Sequence, residues 1–141
     1  MIDSFQLLDD IFDWCIADEE FCEIIGIDNT LTGNQLLANQ NNKLRREYQT
    51  DDVMKPDDVP FISYYFMHSE KAKTNWMVNI GDLYIDIYAN TMYKISQISR
   101  CFRRILAEHM ETMLNYEGQH YSGVNGVYKY RLIYNPLIDG E

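Results

Sequence analysis

The stretch WMVNIGDLYIDIY at residues 76–88, together with the helical pattern that follows it to residue 114, decides the fold of this chain. Successive side chains of a strand point to opposite faces. Leu83, Ile85 and Ile87 therefore share one face of the predicted strand. The other face carries acidic and tyrosine side chains, at Asp82, Tyr84, Asp86 and Tyr88. The first face suits a hydrophobic core, and the second suits water or a partner.

A long amphipathic helix is predicted after a short break at residues 89–91. Six side chains recur there at steps of three and four, the spacing that aligns them along one helical stripe. They are Ile95, Ile98, Phe102, Ile105, His109 and Met113. We expect the strand to lead into a helix that packs on the sheet.

The strand pattern changes parity at its centre. Trp76, Val78 and Ile80 are even-numbered, whereas the apolar residues from Leu83 onward are odd-numbered. A regular strand cannot bury both sets on one face, and an extra residue at Gly81 and Asp82 would restore the facing. The pattern therefore predicts a bulge there, with a tight hairpin over residues 79–82 as the alternative.

Two helices are predicted before the sheet. The first covers residues 4–17, begins at a cap on Asp3 or Ser4, and places five side chains on one stripe. These are Phe5, Leu8, Ile11, Phe12 and Cys15. A shorter helix over residues 18–25 ends at Gly26, because glycine readily takes the left-handed conformation that closes helices. Residues 28–58 are polar and rich in Asn and Gln, which predicts a loop or arm with a helical piece around residues 36–48.

Two more strands are predicted from the remaining sequence. Residues 61–67 carry large side chains on both faces, which is typical of a covered central strand, and form an antiparallel hairpin with the next strand. Residues 115–126 are predicted as a polar loop, and residues 127–134 as the last strand. Its even positions face inward, at Tyr128, Tyr130, Leu132 and Tyr134. Lys129 and Arg131 would then oppose the carboxylates of Asp82 and Asp86 across the sheet.

The expected fold class is α+β, in a single domain over residues 1–141. An antiparallel or mixed sheet of three to four strands carries the long helix on one face, with the N-terminal helix beside it. The 46% hydrophobic content argues against disorder over most of the chain. No apolar run reaches the length of a membrane span, and the acidic N-terminus lacks the features of a secretory signal.

The charge of −10 is concentrated at the N-terminus, because residues 1–30 hold nine acidic side chains and no lysine or arginine. Such a surface repels the phosphate backbone of DNA, so direct gripping of nucleic acid is disfavoured. The alternative is an ordinary solvated helix face. The three cysteines, Cys15, Cys22 and Cys101, lack metal-ligand spacing and lie in apolar helical patterns. They are expected to be reduced core cysteines in a cytosolic setting.

No catalytic or metal-binding pattern is evident in the sequence. His68, His109 and His120 lack metal spacing, and the glycines do not form a phosphate loop. Asp82 and Asp86 lie on a strand as nuclease carboxylates often do, but the lysine that should follow is missing from that strand. We therefore expect no enzyme, no metal and no cofactor.

Arg100, Arg103 and Arg104 form the one basic cluster, on the polar side of the long helix. One interpretation is a solvated face with pairs such as Arg104 to Glu108. The other pairs this cluster with the acidic N-terminal helix of a neighbouring copy, since opposite charges on separate surfaces of one chain favour head-to-tail contacts.

The order of these elements resembles the tail terminator and tail completion proteins of long-tailed bacteriophages. The resemblance covers residues 1–27 and 59–135. It rests on an N-terminal helix with AD at residues 17–18, IG at 25–26, VPFISY at 59–64, YIDIY at 84–88, a long helix from YKI at 93–95 and a glycine-rich loop before a tyrosine-rich strand. The extended segment 28–58 departs from the usual pattern.

This resemblance implies a small α/β protein that is not an enzyme and carries no cofactor. Six copies would form a ring at the head-proximal end of the tail tube, where the ring stops tube growth, contacts tail tube and head-tail connector proteins, and joins tail to head. The protein would assemble in the host cytoplasm and become part of the virion tail, without contacting a membrane. DNA would pass through the ring without specific binding, with the acidic segment at the lumen or at the outer rim.

Candidate subunit-interface residues follow from these expectations. They are Asp82, Tyr84, Asp86 and Tyr88 on the strand and Arg100, Arg103 and Arg104 on the helix. The strand face could equally be an ordinary solvent-facing surface. A function from a different class is a small acidic cytosolic regulator or inhibitor that binds a basic protein partner through its acidic helix.

Overall fold

The computed structural model describes residues 2–50, 55–72 and 77–140, which fold into helices packed on one face of a β-sheet. The helices are α1 (Ser4–Ile16), α2 (Glu19–Ile25), α3 (Gly33–Lys43) and α4 (Met92–His109). The strands are β1 (Leu44–Arg45), β2 (Phe61–Lys71), β3 (Val78–Ala89), β4 (Leu114–His120), β5 (Tyr128–Tyr134) and β6 (Leu137–Asp139). The α+β class is confirmed, whereas three to four strands is an undercount.

The six described strands form one mixed sheet in the order β1-β2-β3-β5-β4. The short strand β6 pairs with the first residues of β3, on the same edge of β3 as β5. β1 runs parallel to β2, and the other pairs are antiparallel. The expected hairpin between β2 and β3 is confirmed. The polar loop predicted at residues 115–126 is wrong in its first half, because residues 114–120 form the edge strand β4. An edge strand packs little of its surface, so polar residues and a glycine are tolerated there.

The bulge predicted at Gly81 is on the partner strand instead. β3 is continuous from Val78 to Ala89, so the alternative hairpin is also wrong. The register shifts on β2 between Phe66 and His68, which makes Met67 the extra residue. Gly81 serves a close approach, since a Cβ atom there would lie 2.5 Å from Cε1 of Phe66. Ile80 stays 38% exposed, and Trp76 lies outside the described residues.

The hydrophobic core lies between the helices and the odd-numbered face of β3. Leu83, Ile85 and Ile87 are fully buried in one cluster with Ile11 of α1 and Phe102 of α4. The helix stripe is confirmed up to residue 105, but α4 ends at His109 and Met113 is 85% exposed. Its chain has left the helix by that point, so the three-and-four spacing no longer holds it against the core.

The N-terminal helices form as local sequence predicts. The Asp3 carboxylate accepts a hydrogen bond from the Gln6 amide at 2.8 Å and caps α1. Gly26 closes α2 with φ +94°. Phe5 departs from the expected stripe, because it is 78% exposed while Leu7, Ile11 and Cys15 face the core. The three cysteines are buried and free of disulfides, as expected.

The segment between α2 and β2 is held to the sheet. The helical piece expected around residues 36–48 is present at Gly33–Lys43, and the chain then pairs through β1 with Ile62 and Ser63. The Lys43 ammonium donates to the Pro60 carbonyl at 3.0 Å.

The side chains after α3 divide between the two faces of the sheet. Arg45 and Tyr48 lie on the even-numbered face, whereas Leu44 belongs to the helical core and Arg46 pairs with α1.

Candidate interaction surfaces

A buried ion cluster occupies the even-numbered face of the sheet, where a partner-facing surface was expected. Asp86 of β3 is fully buried and lies directly opposite Arg131 of β5. Arg131 donates from Nε to Oδ1 at 2.7 Å and from Nη2 to Oδ2 at 3.2 Å. Tyr65 donates its hydroxyl to Oδ2 at 2.8 Å, and the Lys129 ammonium lies 3.8 Å from the same oxygen.

The predicted cross-strand pairing is therefore confirmed for Arg131 and Asp86. Asp82 differs, because the register of β3 with the β5 side brings Asn135 beside it. The Asn135 amide donates to the Asp82 carboxylate at 2.6 Å. Lys129 is opposite Tyr88 in the register, yet its long side chain reaches Asp86.

The surroundings of Arg131 and Tyr65 in this cluster raise the pKa values of both side chains. Burial by itself would lower the pKa of the Arg131 guanidinium, but the hydrogen bonds and charge of Asp86 raise it above its ordinary value. Burial and the neighbouring Asp86 carboxylate both raise the pKa of the Tyr65 hydroxyl. Arg131 thus stays charged and Tyr65 stays a hydrogen-bond donor across the physiological pH range.

Side chains of the segment after α3 cover this cluster. Tyr48 packs edge-on against Tyr65, with ring centroids 5.5 Å apart, and Lys129 lies 5.9 Å from the Tyr48 ring. Arg45 lies over Phe61 at 3.7 Å, and Phe61 in turn stacks on Tyr88. The Ser63 hydroxyl donates a hydrogen bond to the backbone carbonyl of Glu47. The cover is aromatic and hydrogen-bonded at once.

This cover corrects part of the expected interface. Asp86 and Tyr88 are 0% and 1% exposed, so their own chain already occupies the surface they were expected to offer. Asp82 and Tyr84 are half-buried, and the Arg131 guanidinium lies 4.7 Å from the Tyr84 ring. Sequence alternation identified this face correctly but did not reveal that side chains of the segment after α3 cover it.

The arginines of α4 differ in how they are paired. Arg104 contacts Asp18 at 2.8 Å and Glu108 at 3.0 Å, so the expected helical pair with Glu108 is confirmed. Asp18 lies in the acidic N-terminal segment of the same chain, so Arg104 finds an acidic partner there without a neighbouring copy. Arg103 pairs with Glu117 of β4 at 2.9 Å. Arg100 is exposed and has no ion pair within residues 2–50, 55–72 and 77–140.

The Asp18 contact joins α2 to α4. Asp18 caps α2 by accepting the Phe21 amide at 2.9 Å. Partial burial would raise the pKa of the Asp18 carboxyl, but the hydrogen bonds from Phe21 and Arg104 hold it below its usual value. The ionised carboxylate of Asp18 therefore stabilises the folded state.

Several grooves flank α4, among them one on the β4 side and one on the α2 side. The larger, of about 840 Å³, lies between the C-terminal half of α4 and β4, and we call it the α4–β4 groove. Its lining includes Arg100, Arg103, Met110, Met113, Leu114 and Tyr134. The smaller groove, of about 460 Å³, lies between α2 and α4 and includes Glu20, Tyr93 and Arg100. Arg100 borders both grooves.

The outer edge of β4 is exposed as well. Among the described strands, only β5 pairs with it. Tyr116 on β4 is 42% exposed, and Tyr121 just after it is 87% exposed. An open edge next to exposed aromatic side chains offers backbone groups and contact area to another chain.

The histidines have structural surroundings. His109 stacks on Trp14, with ring centroids 4.5 Å apart, which ties the end of α4 to α1. His120 lies 3.1 Å from the Tyr116 hydroxyl, and burial together with Arg131 and Lys129 lowers its pKa. Within the described part of the chain, no group of three or more His, Cys, Asp or Glu side chains is placed to hold a metal ion.

Comparison with known proteins leaves the structure as the main guide. No protein-family model matches the chain, and no curated protein has a significantly similar sequence. None of the helices in the described ranges combines the length and apolar character needed to cross a lipid bilayer.

Proposed function

We propose that this chain is a structural subunit of a phage tail, which assembles into a ring at the head-proximal end, stops growth of the tail tube and joins the tail to the head. The observation that carries the proposal is the architecture. A hairpin of β2 and β3 leads into α4, which packs on the sheet before β4 and β5 complete it. The strand, the long helix after it and the tyrosine-rich last strand belong to the order on which the resemblance to tail terminator proteins rests, whereas β4 occupies part of the glycine-rich loop in that order.

Several surface features of the chain support contact with other copies. β4 presents an open edge, the α4–β4 groove adjoins it, and Arg100 has no ion pair in the described residues. Two large apolar side chains, Phe5 and Met113, are 78% and 85% exposed. Side chains of this size can supply contact area to a neighbouring copy.

Native mass spectrometry and negative-stain electron microscopy of the purified full chain test the proposal together. We expect closed rings with a central hole, at a mass that is a whole multiple of 16.7 kDa. A monomer at every protein and salt concentration would contradict it. Rings that also stop the elongation of purified tail tubes would extend the result from assembly to function.

A second candidate function is a small regulator that binds a basic protein. The observation in its favour is the acidic N-terminal segment, in which Asp13, Glu19 and Glu23 are exposed without a basic partner among the described residues. A stable 16.7 kDa monomer that binds a cationic protein in a salt-sensitive manner would favour this function over the ring.

A further inference from the structure

The N-terminal end of the chain carries an exposed apolar knob, formed by Ile2 and Phe5, which we call the Phe5 knob. Phe5 is 78% exposed and Ile2 is 39% exposed, although both lie at the start of a well-capped helix. Phenylalanine buries a large apolar area when it contacts a partner. Because Phe5 lies in a helix and not in a loop, the backbone fixes the position from which its side chain points into solvent.

Carboxylates surround the Phe5 knob. Asp3 caps the helix beside it, and Asp9 and Asp10 follow one turn later. Asp9 pairs with Arg46, and Asp10 accepts a hydrogen bond from Gln6. With no lysine or arginine in residues 1–30, the approach to the knob is strongly acidic. A surface that receives this knob should therefore be apolar in the middle and basic at the rim.

The α4–β4 groove has an apolar centre, and its rim carries three arginines together with Glu111 and Glu117. Met110, Met113 and Leu114 provide its apolar lining, and Met113 is 85% exposed. Methionine side chains adapt their shape to an incoming aromatic ring and make favourable sulfur contacts with it. Arg100 and Arg103 lie on the helix side of the groove, where a guanidinium can also stack on an aromatic face.

The knob does not occupy the groove of its own chain, as the 78% exposure of Phe5 demonstrates. We propose that the Phe5 knob of one copy inserts into the α4–β4 groove of a second copy, with the carboxylates of Asp3, Asp9 and Asp10 facing Arg100 and Arg103. This contact rests on the assembly proposed above and identifies the surfaces that would form it. Because knob and groove are different surfaces, each copy can give one contact and receive another, which is the arrangement that closes into rings.

A second copy is the occupant that the charges favour. Both surfaces are present on this one chain, an apolar knob flanked by carboxylates and an apolar groove whose rim carries Arg100. Arg103 already pairs with Glu117, whereas Arg100 has no ion pair within the described ranges. An incoming carboxylate at Arg100 would add an ion pair without breaking one inside the subunit.

The first test compares Phe5→Ser with Tyr121→Ser by native mass spectrometry. Phe5 and Tyr121 are both aromatic and are 78% and 87% exposed, so neither substitution removes a core contact. We expect Phe5→Ser to lose the oligomer, since a central aromatic anchor carries much of an interface's energy. Tyr121→Ser should keep it. Matching far-UV circular dichroism spectra for both variants and the natural chain would show that the subunit fold is unaffected, whereas loss of the oligomer by itself lowers the melting temperature.

The second test mixes two defective variants. Phe5→Ser retains a groove but lacks the knob, whereas Met113→Asp with Arg100→Glu retains the knob but has an acidic groove. Each variant alone should be a monomer. Their mixture should form a one-to-one dimer and nothing larger, because only one intact contact remains between them.

The outcomes separate this inference from the proposed function. Rings that persist in Phe5→Ser would overturn the knob-in-groove contact and leave the ring assembly standing. A natural chain that is monomeric would overturn both. Loss of the oligomer in Phe5→Ser without a mixed dimer would also overturn the contact, since Phe5 would then act on a surface other than the α4–β4 groove.

Discussion

Both faces of β3 are buried at residues 85–88, and different interactions stabilise them. Ile85 and Ile87 face the helices and have no exposed surface, and the same is true of Asp86 between them on the opposite face. The isoleucines contact only apolar neighbours in the core cluster. Asp86 instead accepts hydrogen bonds from Arg131 and Tyr65, beneath side chains of the segment after α3.

The comparison teaches that burial alone does not predict the cost of a substitution. On the apolar face the cost scales with the area and volume removed, because the remaining side chains still satisfy one another. On the ionic face each group depends on its partners, so the loss of one leaves a charge without compensation. Adjacent positions of one strand should therefore respond very differently to small changes.

The largest effect is expected for Asp86→Ala. Removal of the carboxylate leaves Arg131 and Lys129 close together and the Tyr65 hydroxyl without its acceptor. We expect a loss of about 3–5 kcal/mol in the free energy of unfolding, as for other buried pairs that lose one partner. Urea denaturation followed by tryptophan fluorescence measures it. A loss below about 1 kcal/mol, the range of an exposed ion pair, would break the contrast between the faces.

The double variant Asp86→Leu with Arg131→Met is the matched control. It removes both halves of the closest pair and replaces them with apolar side chains but keeps Lys129 and Tyr65, so part of the loss seen in Asp86→Ala should be recovered. A double variant as unstable as the single one would mean that shape, and not the uncompensated charge, causes the loss.

A smaller loss of stability, which depends on pH, is expected for Asp18→Ala at the contact between α2 and α4. This change removes the cap of α2 and the ion pair to Arg104, and we expect a loss of about 1–2 kcal/mol near pH 7. Because the folded state lowers the pKa of this carboxyl, its contribution is complete above the usual aspartate value and disappears as the pH falls through the lowered one.

The free energy of unfolding, measured from pH 7 down to pH 2, checks this sign. The difference between the natural chain and Asp18→Ala should shrink as the pH falls through the range where Asp18 becomes protonated. Asp18→Asn is the control, since asparagine can still cap a helix but carries no charge, and it should lose less at neutral pH. A difference that grows toward low pH would contradict the lowered pKa.

The smallest effect is expected for Ile85→Val, one position from Asp86. The substitution removes a single methylene from the apolar face, at a cost of about 0.5–1.5 kcal/mol. Thermal and urea denaturation of Ile85→Val and Asp86→Ala, measured together, compare the loss in the free energy of unfolding on the two faces. If Ile85→Val were the more damaging change, packing on the helical face would dominate the stability of the sheet.

Periodicity predicted the elements that bury a regular face. The stripe of α4 up to Ile105, the cap at Asp3, the closing glycine at residue 26 and the odd face of β3 were predicted from residue types and side-chain spacing. These features depend on residues close in sequence. The pairing of Asp86 with Arg131 was also predicted, because strand alternation and opposite charge limit the possible register.

Periodicity failed where contact with a distant segment sets the outcome. β4 lacks apolar alternation because an edge strand buries little, and β1 is only two residues long. The parity change at Gly81 suggested a bulge in β3, but the extra residue is Met67 on β2, because the Phe66 ring lies against the glycine. Phe5 is placed outside the core for a similar reason, since α1 turns Leu7 and Ile11 toward the sheet.

The sequence by itself determined the helices, the central hairpin, the acidic N-terminus and the alternation of apolar and polar faces on residues 83–88. These follow from local backbone preferences and from the period of each element. Only the tertiary structure decided that Asp86 and Tyr88 are enclosed, that Arg104 is satisfied within its own chain, and that Phe5 and the α4–β4 groove stay open. Burial and pairing depend on which distant segments meet, and that is set by the whole fold.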